Sequence, residues 1–246
     1  MIVAKFVSKM KKITLYISLI VVASFVSCKK EEAVKPKVIY EDTAKSKPTV
    51  PVDTTQIEVA DLPINMEGTN FLIHPIGVIS GSGKGIKSST DSEQSFTVSN
   101  YGEYQITGYL KNLKFQEIGK DSIYALTDKQ VLIETATYLK TFSDKTKQQL
   151  LVYSLADMDT NKDGKLDSSD IKSLYISTIS GQKFTKLSAD FQELIDWKII
   201  ESKSILYFRT IEDTNKNGEF DADDNLKYNS VNLLDKEWKV SAYKPI

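Results

Sequence analysis

From about Ile64 onward the chain is written in short apolar or alternating runs divided by turn residues. Asn70-Phe71-Leu72-Ile73, Ser95-Phe96-Thr97-Val98, Tyr104-Gln105-Ile106-Thr107 and Leu150 to Leu155 set the pattern. Gly119-Lys120-Asp121, Ser180-Gly181-Gln182 and Leu234-Asp235-Lys236 punctuate it. Runs of this length between such breaks predict strands. The same reading predicts strands over Tyr109–Ile118, Ser122–Leu126, Ser173–Thr178, Lys183–Leu187, Glu193–Ile200, Ser204–Thr210, Leu226–Val231 and Glu237–Val240. Val131–Phe142 is long enough for a helix, but its β-branched residues favour a strand. Asp190–Ile195 is open to one helical turn.

A larger pattern recurs within these runs. Asp159 and Asp213 head two acidic loops, 54 positions apart (213 − 159), and Tyr153 and Tyr207 each stand six positions earlier, in LLVYSLA and ILYFRTI. A tyrosine-bearing strand follows each loop (Leu174-Tyr175-Ile176-Ser177; Lys227-Tyr228-Asn229-Ser230), then a turn and an aromatic strand. The unit is strand, strand, acidic loop, strand, turn, strand. Four strands repeated every ~40–55 residues is the pattern of a propeller blade. The predicted fold is therefore mainly β: a propeller-like repeat array over 64–246. Its calcium-loop units would span about 131–188 and 189–246, after a degenerate unit over about 64–130. Three units are too few for the usual closed propeller. A partial array, a ring of irregular blades and a sandwich of repeats all remain open. Residues 28–63 hold four of the six prolines (Pro36, Pro48, Pro51, Pro63) among Lys, Thr and Asp. They predict a flexible, disordered stalk, because so polar a stretch buries too little to offset chain entropy.

The two loops carry the chemistry. With Asp159 as position one, Asn161 is three, Asp163 five, Gly164 six, Lys165 seven, Leu166 eight, Asp167 nine and Asp170 twelve. Asp213, Asn215, Asn217, Gly218, Glu219, Phe220, Asp221 and Asp224 take the same places in the second loop. Calcium is a hard ion that takes six to eight oxygens at ~2.4 Å. Side chains at one, three, five, nine and twelve supply oxygen, position seven a carbonyl, and glycine at six the sharp turn. Magnesium prefers water and a strict octahedron, and zinc wants His or Cys, absent from both loops. The alternative is that Asx-rich hairpins turn here without metal. Loop one has four ligand-position carboxylates (159, 163, 167, 170) against three in loop two (213, 221, 224), which predicts tighter binding in the first.

DxNxDGxLDxxD and DxNxNGxFDxxD resemble EF-hand-type calcium loops, with Asp in place of Glu at twelve and strands in place of flanking helices. D-x-N-x-D-G-x-x-D is similar to the calcium loops in the β-hairpins of integrin-type propellers, where the ninth residue completes the shell. The wider pattern from about Tyr109 to the end, LYIS…G..F..L…W….LYF….DTN, resembles bacterial surface lipoproteins with Tol-type propeller repeats. The loop resemblances imply two bound Ca²⁺ ions; the wider likeness implies no known reaction.

The amino terminus adds an anchor. Met1–Ser27 has the form of a secretory signal: Lys5, Lys9, Lys11 and Lys12, then an apolar run over Ile13–Val26 that is short for a transmembrane helix. It stops at Phe25-Val26-Ser27-Cys28, which resembles a bacterial lipoprotein cleavage box whose cysteine takes the lipid. An uncleaved anchor helix, or a nearby cut leaving Cys28 free, is the alternative. Lys29-Lys30-Glu31-Glu32 resembles the signal sending some lipoproteins to the outer face of the outer membrane; the alternative is attachment facing the periplasm. The signal holds four basic and no acidic residues, so the mature chain has 28 basic (32 − 4) and 33 acidic, net −5. No basic face supports a nucleic-acid partner.

Catalytic candidates are sparse. His74, the single histidine, lies in an apolar run beside Pro75 and reads as structural. GSGKG at 81–85 lacks the Ser/Thr that a phosphate loop places after its lysine. Glu193 and Asp196 sit beside Trp197 and read as solvated acids next to a buried indole rather than as a carboxylate pair acting on a sugar. The predicted function is a calcium-binding, membrane-anchored, non-enzymatic module with a protein or glycan ligand. The alternatives are an envelope hydrolase working on glycan or peptide with His74 or Glu193, and a calcium sensor.

Overall fold

The computed structural model describes residues 35–40, 56–80 and 96–246, which belong to one unit spanning 35–246. The signal segment 1–27, Cys28 and the 81–85 loop lie outside the described residues. The first strands are β1 (Gln56–Ala60), β2 (Ile64–Asn65), β3 (Phe71–Ser80), β4 (Ser99–Gly102), β5 (Gln105–Leu110), β6 (Asn112–Glu117) and β7 (Ile123–Ala125). The chain continues through β8 (Leu132–Tyr138), helix α1 (Lys140–Thr146), β9 (Leu150–Ala156), β10 (Ser173–Thr178) and β11 (Thr185–Lys186). It ends with β12 (Gln192–Ile200), β13 (Ile205–Glu212), β14 (Asn225–Asn232) and β15 (Val240–Ala242).

These strands make three antiparallel sheets. The first runs β1-β3-β6-β7, with β2 also on β3; the second runs β11-β10-β9-β8-β5-β4; the third runs β12-β13-β14-β15. The two sequence repeats are thus two up-and-down meanders, β8 to β11 and β12 to β15, each with its acidic loop between the second and third strands. The second sheet is the middle layer. Leu151, Tyr153 and Leu155 of β9 join Ile73, Phe115 and Met66 in one core, while Leu150 and Val152 join Leu174, Leu206 and Phe208 in another. A strand covered on both faces reads as a continuous apolar run, which is why LLVYSLA shows no alternation. Each side chain so buried contributes roughly 1.5–3 kcal/mol relative to exposure.

Four expectations need correction. Residues 64–130 do not form a unit of their own: β4 and β5 leave the first sheet and pair on β8, widening the second sheet to six strands. The stalk prediction fails at Ile57–Pro63, since β1 pairs with β3 and the Asp61 carboxylate accepts the amides of Val98 (3.0 Å) and Ser99 (2.8 Å). The long strand predicted over Val131–Phe142 stops at Tyr138, and α1 follows. Leu139, Phe142 and Ser143 are buried at helical spacing, while Lys140 and Asp144 form an exposed i,i+4 pair. No helical turn forms at Asp190–Ile195: Phe191 has a φ of 58°, and β12 starts at Gln192. Trp197 and Trp238 are half-buried against the second core.

Candidate metal centre

Loop one joins β9 to β10 and loop two joins β13 to β14, so each springs from a tight antiparallel pair. The last registered pairs are Leu155 with Ser173 and Glu212 with Asn225. Within each loop the acidic side chains turn onto the loop's own backbone. Asp159 accepts the amides of Asp163 (3.2 Å) and Gly164 (2.8 Å), as Asp213 accepts those of Asn217 (3.2 Å) and Gly218 (2.7 Å). Asn161 accepts from Asp163 and Asn215 from Asn217, both at 2.9 Å. Asp163 accepts from Lys165 and Asn217 from Glu219, both at 2.8 Å. At the closing end Asp170 accepts the amides of Thr160 (2.7 Å) and Asp167 (2.9 Å). Asp224 does the same for Thr214 (2.9 Å) and Asp221 (3.0 Å). Backbone twist repeats as well: φ is 57° at Lys162 and 58° at Lys216, then 85° at Gly164 and 84° at Gly218. Only glycine holds the latter position without strain.

Among the described residues, no three His, Cys, Asp or Glu side chains are grouped so as to hold a metal ion. Lys165 and Glu219 stand at position seven with exposed side chains; Asp167 and Asp221 each cap an amide two residues on, of Ser169 and Asp223. Both loops are therefore preset coils of side-chain oxygen. A carboxylate has about four lone-pair sites, so the one or two amide bonds on each of Asp159, Asp163, Asp167, Asp213, Asp221 and Asp224 leave capacity for a hard cation, whereas Asp170 already accepts from the Thr160 amide and hydroxyl and the Asn161 and Asp167 amides.

Sequence reasoning missed the segment that joins the loops. Lys35–Tyr40, placed in the flexible stalk, lies between them as an ordered strap. The Lys37 amide donates to the Ser169 carbonyl (3.2 Å) and the Ile39 amide to the Thr160 carbonyl (2.8 Å), both in loop one. The Val38 amide donates to the Gly218 carbonyl of loop two (3.1 Å). The Thr160 hydroxyl donates to the Lys37 carbonyl (2.9 Å), and Lys37 Nζ lies 3.0 Å from Glu219 Oε1. Val38 is 3% exposed. Tyr40 hydrogen-bonds Asp213; burial first, then the Asp213 charge, pushes its hydroxyl up to about 12. The available signal was the run Val38-Ile39-Tyr40, strand-forming residues amid prolines.

Asp157 is a second omission. It takes hydrogen bonds from Ser173 (3.0 Å) and Tyr175 (2.7 Å) and an ion pair from Lys186 (2.6 Å), fixing the entry to loop one. Burial, then Asp157 itself, raises the Tyr175 hydroxyl well above the usual range.

The remaining candidates stand apart. His74 Nε2 lies 3.3 Å from Gln116 Oε1 on the first sheet. Glu193, on the third sheet, is not the solvated acid expected from the sequence but is buried, and it accepts the Lys172 amide at 2.5 Å. Burial pushes its carboxyl up to about 7, against the Lys172 amide and ammonium, which pull it down. Asp196 pairs with Arg209, which holds its carboxyl below the ordinary value. A groove of about 660 Å³ runs along β14 and β15, lined by Leu226, Tyr228, Val240, Tyr243 and Ile246. The Tyr243 ring meets those of Tyr207 and Tyr228 at 5.2 and 5.9 Å. No protein-family model, no curated protein and no solved structure matches this chain.

Proposed function

We propose that this protein is a calcium-binding, lipid-anchored module of the cell envelope that works by binding rather than catalysis. In this reading each acidic loop takes one Ca²⁺, with Asp159, Asn161, Asp163, Lys165 (carbonyl), Asp167 and Asp170 in the first. Asp213, Asn215, Asn217, Glu219 (carbonyl), Asp221 and Asp224 serve the second. One observation carries the reading: two loops 54 positions apart repeat the same amide-to-carboxylate bonds and the same two left-handed residues. A turn needs far fewer oxygens than this. Calcium would stiffen a platform at the edge of two meanders, here read as neighbours in a propeller-like array. Cys28 would carry the lipid, on the outer membrane and facing outward or into the periplasm. The tyrosine-lined groove suits a protein or glycan ligand, since tyrosine pairs an apolar face with a polar tip.

Calorimetric titration of the full chain with Ca²⁺ and Mg²⁺ tests the proposal. We expect two calcium sites, weaker magnesium binding, and a rise in Tm. An ion bound only by the folded state adds about 2.7 kcal/mol at a hundred times its Kd. No heat of binding, together with a Tm indifferent to EDTA, would rule the calcium sites out.

A further inference from the structure

We propose that the two acidic loops together build a docking cleft for residues 37–40 of this chain, and that the docked strap makes them one cooperative unit. Adjacent strap residues point their amides to opposite loops, Val38 to Gly218 and Ile39 to Thr160. Neither loop can shift without disturbing the segment held by the other.

Two features show a cleft built to receive a backbone. At Gly218 a Cβ would lie 2.4 Å from the Val38 carbonyl oxygen, so the strap passes where any side chain would stand. At position two the loops diverge. The Thr160 hydroxyl is turned to the strap carbonyl of Lys37, whereas the Thr214 hydroxyl donates to Glu212, in its own chain segment. Val38 fills the interior, and Tyr40 closes the far end against Asp213 and the Phe191 ring (6.0 Å). Backbone recognition of an extended segment, with alternate side chains seated, is the logic of strand-addition sites. The consequence for ions rests on the calcium reading above: an ion ordering one loop also orders the strap, and through it the other loop, so calcium uptake becomes cooperative.

Two single variants of the full chain cut the links separately. Val38→Pro removes the amide that reaches loop two; Ile39→Pro removes the shorter of the two that reach loop one, the bond to Thr160, and leaves the Lys37 amide on Ser169. Hydrogen exchange in EDTA is read on peptides covering 157–172 and 211–226, with β9 and β13 as internal references. Either variant should speed exchange in both loops, roughly five-fold or more, and leave the references unchanged. If Val38→Pro loosens only loop two and Ile39→Pro only loop one, or neither loop changes, the cooperative strap is wrong. Calcium titration then separates the two proposals. Wild type should take up two ions cooperatively and either variant should take them up independently. If neither protein binds calcium, the ion reading falls while exchange in EDTA still decides the strap.

Discussion

In loop one the twelfth carboxylate, Asp170, is 1% exposed while the first, Asp159, lies open to solvent; in loop two Asp213 is 4% exposed and Asp224 only half-buried. The amide bonds onto positions one, three, five and nine are the same, yet opposite ends are sealed. Local sequence sets the coil, because each Asx side chain finds its amide within a few residues. What covers the coil is set elsewhere. The strap lies on the Thr160–Asp170 end of loop one and on the Gly218–Asp213 side of loop two. Net charge sharpens the contrast. Residues 159–170 carry four aspartates and two lysines (−2), and 213–224 carry five acids and one lysine (−4). The more negative loop is the one that receives Lys37.

The largest effect expected from this asymmetry is at position twelve. Asp170→Ala leaves the buried Thr160 amide and the Asp167 amide without their acceptor. An unsatisfied buried donor costs about 1–3 kcal/mol, so the loss should be about 3 kcal/mol. Asp224→Ala exposes equivalent amides to water and should cost about 1 kcal/mol. Urea midpoints in EDTA, free of any ion contribution, check the pair. Equal losses would mean that burial of Asp170 adds nothing.

Next comes the glycine at six. Gly164 is exposed and Gly218 buried, with φ equal within a degree. Alanine in the left-handed region costs roughly 1–2 kcal/mol at either site. Gly218→Ala must also expel the Val38 carbonyl, so it should cost roughly 1 kcal/mol more than Gly164→Ala. Exchange at Val38 and Ile39 should quicken in both variants and more in Gly218→Ala, where the strap itself is displaced.

The meanders and both loops were legible in the sequence because each is a local object. DxNxxG fixes a coil, and a tyrosine six positions earlier fixes the strand feeding it. The strap, β1 and the transfer of β4 and β5 were not, because their order comes from partners far along the chain. Val38-Ile39-Tyr40 is too short to hold itself. Asp61 looks like any linker acid until Val98 and Ser99 meet it. Helix α1 was hidden differently: Leu139, Phe142 and Ser143 carry its period, but they follow directly on a β-branched strand and merge with it. Asp157, two residues before the loop, falls at no ligand position, and its partners Ser173, Tyr175 and Lys186 lie beyond the loop.

The loops also differ in how the chain leaves them. After loop one, Lys172 is fastened to β12 by its amide on Glu193 and its carbonyl under the Leu194 amide (2.9 Å); after loop two, Asn225 enters β14 directly. The Glu193 carboxyl titrates about 7 in the folded chain against an ordinary value of 4.5. Between those values the folded state keeps a proton that the unfolded chain has released. This contribution is therefore fully present below about pH 4.5, falls as pH rises through 7, and is gone above it. The change should be about 3 kcal/mol at most, and Glu193→Gln should flatten that segment of the stability–pH curve. Asp224→Ala, at the other loop, should leave the segment as steep as in wild type.

The smallest effect expected is at Lys37, and its smallness separates two accounts of the strap. Lys37 and Glu219 are 58% and 62% exposed, so their ion pair is screened and costs side-chain freedom to hold. If charge draws the strap to the more negative loop, Lys37→Met should release it, and added salt should do the same in wild type. If backbone bonds and burial of Val38 hold it, Lys37→Met should cost less than about 0.5 kcal/mol, with little response to salt. We expect the second outcome. Three amides and the Thr160 hydroxyl hold the strap by its backbone, and of its side-chain bonds the one from Tyr40 to Asp213 sits at the buried end, away from Lys37. A salt-sensitive exchange rate at Val38 would assign the docking to Lys37 instead, and the burial contrast between the loops would then follow from charge.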